Sequence, residues 1–154
     1  MTPMTDPQPG RTARSPLIEA LDLARHPEGG WFRRTWQAPY EVDLPDGRRR
    51  LPATSILYLL QAGEASAWHR VASDELWLAH LGNVTLEMGG TGAAPRLDRR
   101  LVVGTDPTDG QQPQTCVPAG TWQRTLPVAA DTLVSCVVSP GFDFADFALH
   151  EPVG

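Results

Sequence analysis

The stretch GEASAWHRVASDELWLAHLG, from Gly63 to Gly82, decides the fold. Its marker residues are regularly spaced: five residues separate Gly63 from His69, five separate His69 from Glu75, and six separate Glu75 from Gly82. Side chains at i and i+2 share one face of a strand, so the alternation places His69 on the same face as Val71. The pattern predicts two short strands, each with one chemically active side chain on a defined face.

Three further segments extend the pattern outward. A later turn reads Pro118-Ala119-Gly120, with Gln123 three positions on; the start carries HPEGGWFR at residues 26–33, and the end carries SPGFDFADF at residues 139–147. Together these motifs resemble the cupin superfamily, specifically a branch of small single-domain cupins with a PEGG-type start and a PGFDF-type end. The resemblance covers about Ser15 to Leu149. It implies an all-β double-stranded β-helix, the cupin jelly-roll barrel, with the His69 face lining a cavity.

The chain departs from the cupin pattern at three positions that bear on function. Val71 stands where the motif has a second histidine, and Gln123 stands where the closing strand has its last histidine. Arg34 occupies a position where the branch has an acidic residue. A metal, if present, would be held by His69, Glu75 and Gln123, and a neutral amide is a weak ligand for transition metals. We therefore expect no cofactor, with a divalent metal as the alternative.

The length and composition predict one domain. The chain has 154 residues, of which 41% are hydrophobic and 20% charged, which suits a single core. Residues 1–14 are predicted to be a disordered leader and residues 15–154 one cupin domain. A short helix should begin at Ser15-Pro16, a good N-cap and N1 pair, and run toward His26-Pro27. Turn signals at intervals of about ten residues then predict strands near 31–37, 53–60, 66–71, 75–81, 83–88, 98–103, 112–117, 121–125, 132–139 and 144–149.

Charge and hydropathy exclude several classes of partner. A net charge of −5 and a pI near 5.2 argue against a nucleic-acid surface, which needs a concentrated basic face. We find no apolar run long enough to span a bilayer and no signal-peptide core at the start. We expect a cytoplasmic protein that forms a homodimer through strand edges, with no nucleic-acid or membrane partner.

The candidate catalytic residues are His69, Glu75 and Tyr58. An imidazole held by a carboxylate in an enclosed cavity can act as a general base, and a phenol on the neighbouring strand can donate a proton. Alternation cannot decide whether Tyr58 or its neighbours face inward. A structural alternative is that His69 and Glu75 only hydrogen-bond each other as a buried pair.

The candidate ligand-binding residues are Trp77, Gln123 and Arg33. Trp77 shares a face with Glu75, Gln123 lies on the closing strand, and Arg33 lies on the first strand, where a guanidinium could hold an anionic group. Metal-free cupins that epimerise nucleotide-linked sugars use a histidine base in a similar barrel. The resemblance thus suggests isomerase or epimerase chemistry on a carbohydrate-like small molecule. A non-catalytic ligand-binding or sensor module and a metal-dependent oxygenase are the alternatives.

Overall fold

The computed structural model describes residues 13–151 and is nearly all β-structure. One helix, α1, spans Pro16–Ala20 within these residues. The strands are β1 Ala24–Arg25, β2 Trp31–Gln37, β3 Val42–Asp43, β4 Arg49–Arg50, β5 Thr54–Leu60, β6 His69–Val71, β7 Asp74–Leu81, β8 Asn83–Met88, β9 Arg99–Gly104, β10 Gln114–Val117, β11 Gln123–Thr125, β12 Thr132–Ser139 and β13 Phe147–Leu149. Two single-turn 3-10 helices span Pro107–Asp109 and Phe144–Asp146.

Two antiparallel sheets face each other to form the jelly roll. The larger sheet has the strand order β1-β2-β5-β12-β7-β10, and the smaller has the order β13-β6-β11-β8-β9. The hairpin β3-β4 stands apart from both sheets. Apolar side chains from the two inner faces form the main core, which includes Tyr58, Trp77, Leu86 and Val103. The predicted fold class is therefore confirmed.

The N-terminal helix covers the outer face of the larger sheet. The Ser15 side chain accepts a hydrogen bond from the backbone N–H of Leu17, which is the predicted cap. Ile18 and Leu23 pack against Leu59 in a second, smaller core. The helix is shorter than predicted, because the chain turns at Asp22, where φ is +54°, well before His26-Pro27.

The predicted strands are found, but four of them begin two or three residues later than predicted, and the short strands β1, β3 and β4 are not among those predicted. The strand predicted from residue 66 begins only at His69, because the backbone N–H of Ala67 donates to Glu28 O at 2.7 Å instead of joining the sheet. The last strand begins at Phe147, because the Asp143 side chain caps a 3-10 turn. The Ala67–Glu28 loop contact and the Asp143 cap leave no periodic pattern in the sequence, so alternation could not predict them.

The N-terminal half of β5 shows which of its faces points inward. Thr54, Ile56 and Tyr58 point into the barrel, whereas Leu57 and Leu59 pack toward the helix. Both faces are buried against apolar groups, which explains why alternation alone could not choose between them. No helix within residues 13–151 has the length and apolar character needed to cross a bilayer.

Candidate functional site

A buried ion pair between His69 and Glu28 forms one wall of the site. His69 Nε2 lies 2.7 Å from Glu28 Oε2, and its Nδ1 lies 2.8 Å from the backbone oxygen of Ala67. The side chains of His69 and Glu28 are only 3% and 8% exposed. His69 comes from β6, whereas Glu28 comes from the loop before β2. Both nitrogens of the imidazole are therefore engaged by the protein itself.

The loop that delivers Glu28 depends on Gly29. Gly29 has φ of +106°, and a β-carbon there would lie 2.4 Å from the backbone oxygen of Ala65. Only glycine fits this close approach in a conformation that other residues rarely adopt. The adjacent Gly29 carbonyl accepts a hydrogen bond from the Tyr58 hydroxyl at 2.6 Å. The PEGG motif thus holds the Glu28 carboxylate against His69.

Mutual attraction controls the protonation of the ion pair. Burial alone would lower the pKa of His69, but the Glu28 carboxylate outweighs it and raises this pKa to about 9. Burial would raise the pKa of Glu28, but the charge and hydrogen bond of His69 lower it overall. At neutral pH the pair is an imidazolium and a carboxylate. His69 is therefore already protonated, which does not suit the general-base role expected from the sequence.

A second polar chain positions Glu75. Trp77 Nε1 donates to Gln123 Oε1 at 3.0 Å, and Gln123 Nε2 donates to Glu75 Oε1 at 2.7 Å. Because an indole N–H can only donate, the oxygen of the Gln123 amide must face Trp77, and its nitrogen must face Glu75. Glu75 and His69 do not form the hydrogen-bonded pair considered from the sequence. Each has a different partner.

Glu75 is the titratable group best poised near neutrality. Burial is the largest influence on its pKa, and the negative charge of Glu28 acts in the same direction. The positive charge of His69 and the hydrogen bond from Gln123 oppose this rise, and the pKa of Glu75 settles at about 7. A carboxyl group of this kind can take up and release a proton near physiological pH.

His26 adds a neutral imidazole on the same side. Its Nδ1 accepts a hydrogen bond from the backbone N–H of Glu28 at 3.1 Å, which places the proton of the neutral ring on Nε2. Burial lowers the pKa of His26, while the Glu28 charge opposes this only in part. The ring contacts Phe32 edge to face, with centroids 4.7 Å apart. His26 is thus more than the helix-end residue that its sequence position indicates.

These groups line one cavity of about 310 Å³ between the two sheets. Its polar wall consists of His26, Glu28, Arg34, Thr54, His69 and Glu75, and its apolar wall of Phe32, Ile56, Val71, Val138, Phe142, Phe144 and Phe147, with the Cys136 thiol among them. Burial, together with nearby Glu75, holds the pKa of Cys136 far above its usual value. The thiol is therefore protonated and unreactive at neutral pH.

The predicted position of Arg33 at the cavity is wrong. Arg33 is exposed and its Nε donates to the backbone oxygen of Leu21 at 2.7 Å, on the helix side of the sheet. Arg34, one residue on, lines the cavity instead. Trp31 and Arg33 lie on the face of β2 that packs under the helix, so the face of β2 that points into the cavity is the opposite of the expected one.

Tyr58 and Trp77 lie behind the cavity wall. The Tyr58 hydroxyl is committed to Gly29, and burial followed by the Glu28 charge raises its pKa well above the usual value. This placement does not support the expected proton-donor role. Trp77, 1% exposed, reaches the cavity only through Gln123. Neither residue lines the cavity.

The donor set of this barrel does not suit the metal held in other cupin motifs. Gln123 turns its only ligand oxygen toward Trp77, both nitrogens of His69 are engaged, and Val71 has no donor atom. Within residues 13–151 no three His, Cys, Asp or Glu side chains are grouped as metal ligands. The alternative set of His69, Glu75 and Gln123 therefore lacks convergent donors.

A double-sheet jelly roll that encloses a cavity is an architecture that cupins share with other protein classes. A sequence profile of the Cupin superfamily (DUF985) matches residues 15–150, so the chain belongs to this family. A hypothetical protein from Leishmania major is 33% identical, with 87% of this chain and 85% of that chain covered and a TM-score of 0.78. A protein from Shewanella oneidensis is 34% identical, with 88% and 82% covered and a TM-score of 0.76.

More distant structures share the fold alone. Oxalate decarboxylase from Bacillus subtilis is 17% identical, with 81% of this chain and 29% of that chain covered and a TM-score of 0.56. Manganese centres are described for that enzyme. No curated protein matches the chain.

Proposed function

We propose that this protein is a metal-independent acid-base catalyst of the isomerase type, acting on a small molecule bound in the cavity. One observation carries the proposal: the Glu75 carboxylate lies on the cavity wall and is held there by the Gln123 amide, whose Nε2 donates to Oε1 at 2.7 Å. A carboxylate held in this way can reach a ligand proton without reorganising.

The proposed step is a proton transfer at carbon. Glu75 takes a proton from a carbon next to a carbonyl group; the electron pair of that C–H bond forms the C=C bond of an enolate, and the π pair of the C=O bond moves to the carbonyl oxygen. The Nε2–H of neutral His26 is the candidate donor to that oxygen. Return of the proton from Glu75 to the other face of the same carbon completes an epimerisation with no oxidant or co-reactant.

His69 supports this step as a positioning residue. Its nitrogens are bound to Glu28 and Ala67, so it does not need to touch the ligand. Its positive charge lowers the pKa of Glu75 and so opposes the effect of burial. Without that charge Glu75 would be protonated at neutral pH and could not accept a proton.

Solvent exchange tests the proposal. The protein is incubated in D₂O with a panel of 2-oxo acids, ketoses and 1,3-dicarbonyl compounds, and loss of the C–H signal adjacent to the carbonyl is followed by proton NMR. We expect exchange above the buffer rate with at least one compound, and its loss in Glu75→Gln. Glu64→Gln, outside the cavity, is the matched control. Equal exchange in both variants would remove Glu75 from the mechanism.

A non-catalytic binding module is the second candidate. The observation that favours it is that His69 and Glu28 satisfy each other completely, as a purely structural pair would. A ligand that binds in the cavity and shows no exchange at any C–H would favour this candidate over the catalyst.

A further inference from the structure

Arg34 brings an uncompensated positive charge to the cavity. Its Nη2 donates to the backbone oxygen of Phe142 at 2.9 Å, and its Nη1 lies 3.4 Å from Gln37 Oε1. No carboxylate within residues 13–151 forms an ion pair with it. Six other arginines in this range do pair with acidic side chains: Arg25, Arg48, Arg49, Arg50, Arg100 and Arg124. Arg34 therefore has N–H donors left for a ligand.

The other charges of the cavity do not cancel that of Arg34. Glu28 and His69 neutralise each other at a distance of 2.7 Å. Glu75 is held deep in the barrel by Gln123 and is 7% exposed, whereas Arg34 lies on the exposed part of β2. A ligand that enters the cavity thus meets a guanidinium, which binds carboxylates through paired hydrogen bonds.

The remaining wall is aromatic and apolar. Phe142 and Phe144 pack edge to face with centroids 4.9 Å apart, and Phe147 lies 6.0 Å from Phe142 and 5.8 Å from Phe144. Phe32, on β2, also lines the cavity, and its ring contacts that of His26. Such edges and faces suit a flat ring, whereas a polyhydroxylated ligand would leave several hydroxyl groups without partners at a cost of about 1 to 3 kcal/mol each. This composition argues against the carbohydrate-like ligand expected from the sequence.

We propose that the cavity binds a carboxylate that carries an aromatic ring, with the carboxylate on Arg34 and the ring among the phenylalanines. A volume of about 310 Å³ is at the small end for ligand pockets, which suits one ring and a short chain. This inference rests on the proposed function only in using the same cavity, since an unreactive ligand of this class needs no proton transfer.

The probe is 3-phenylpropanoate, titrated by calorimetry and by proton–nitrogen NMR. Its comparison compounds are 3-phenylpropan-1-ol, which lacks the charge, and hexanoate, which lacks the ring. We expect the alcohol and hexanoate each to bind at least about tenfold more weakly, as charge-assisted hydrogen bonds and ring burial imply. Equal binding of any comparison compound, or no binding of 3-phenylpropanoate, would overturn the proposal.

Two neighbouring arginines provide matched variants. Arg34→Gln should weaken 3-phenylpropanoate to the affinity of the alcohol, and Arg34→Lys should restore part of the loss. Arg33→Gln removes the same charge one residue away on the other face, and it should leave binding unchanged. If the two glutamine variants behave alike, the carboxylate does not bind at Arg34. Thermal unfolding of each variant checks that it is folded.

The outcomes separate this inference from the proposed function. Binding of 3-phenylpropanoate without any C–H exchange in the carbonyl panel would leave the ligand class standing and refute the proton transfer. Exchange with compounds that lack a ring or a carboxylate, together with no binding of 3-phenylpropanoate, would support the proton transfer and refute the proposed ligand class.

Discussion

The free energy of unfolding should fall as the pH rises through the range in which Glu75 loses its proton. Glu75 is buried, and its side chain accepts a hydrogen bond from Gln123. Burial raises its pKa from 4.5 to about 7. The folded protein therefore holds this proton at pH values where the unfolded chain has released it.

The size of the effect follows from the difference in pKa. Each pKa unit corresponds to about 1.36 kcal/mol, so a rise from 4.5 to about 7 corresponds to about 3 kcal/mol. Because the pKa of Glu75 is higher in the folded state, protonation of Glu75 stabilises the folded protein at low pH. The stabilisation is fully present below pH 4.5 and is lost as the pH rises through about 7.

The assay is urea unfolding of wild type and Glu75→Gln, followed by tryptophan fluorescence between about pH 5 and pH 8. Glutamine cannot titrate and can still accept a hydrogen bond from Gln123. Relative to wild type, the variant should therefore gain about 3 kcal/mol across this interval. Glu64→Gln serves as the surface control and should follow wild type.

His69 contributes a separate loss of stability. Its raised pKa shifts from 6.5 to about 9, so that loss occurs mostly at higher pH and remains in the Glu75→Gln variant. The charge of Glu75 also raises the pKa of His69, so the comparison between variant and wild type reports the titration of Glu75 together with its coupling to His69. Parallel pH curves for the two proteins would show that Glu75 titrates normally, and the proposed base would lose its physical support.

Three further changes test the surrounding network. Glu28→Gln leaves the His69 imidazolium buried without a carboxylate and should cost about 3 to 5 kcal/mol, with the NMR-measured pKa of His69 falling below its value of about 9. Trp77→Phe leaves Gln123 Oε1 without its donor and should cost about 1 to 3 kcal/mol in urea unfolding. Asp146→Asn weakens two arginine pairs and should speed amide hydrogen exchange across the Phe144–Asp146 turn; unchanged exchange would show that these pairs do not hold it.

The sequence predicts the barrel because its strands and turns obey local rules. Alternation in β6 and β7 defines the faces of these strands, and the cupin resemblance implies that the His69 face lines a cavity; His69 and Glu75 both line it. The glycine turns that separate the strands are equally local. These features need no knowledge of distant contacts.

The partners in the site could not be predicted in the same way. Glu28 lies in a loop, where side-chain direction follows no period. It precedes β2 of the larger sheet, whereas His69 lies on β6 of the smaller sheet, so the two side chains come together only when the sheets pack. On β2 each face carries an arginine and at least one aromatic residue, so the composition of the two faces does not assign Arg33 and Arg34. The packing of the N-terminal helix on Trp31 determines which face of β2 points into the barrel.

The two departures from the cupin metal pattern have a common consequence in this barrel. Val71 contributes apolar surface to the cavity, and Gln123 uses its amide to connect Trp77 with Glu75. The glutamine therefore fixes Glu75 in the wall of the cavity. The residue that stands in place of a metal-binding histidine thus holds the carboxyl group that we propose as the base.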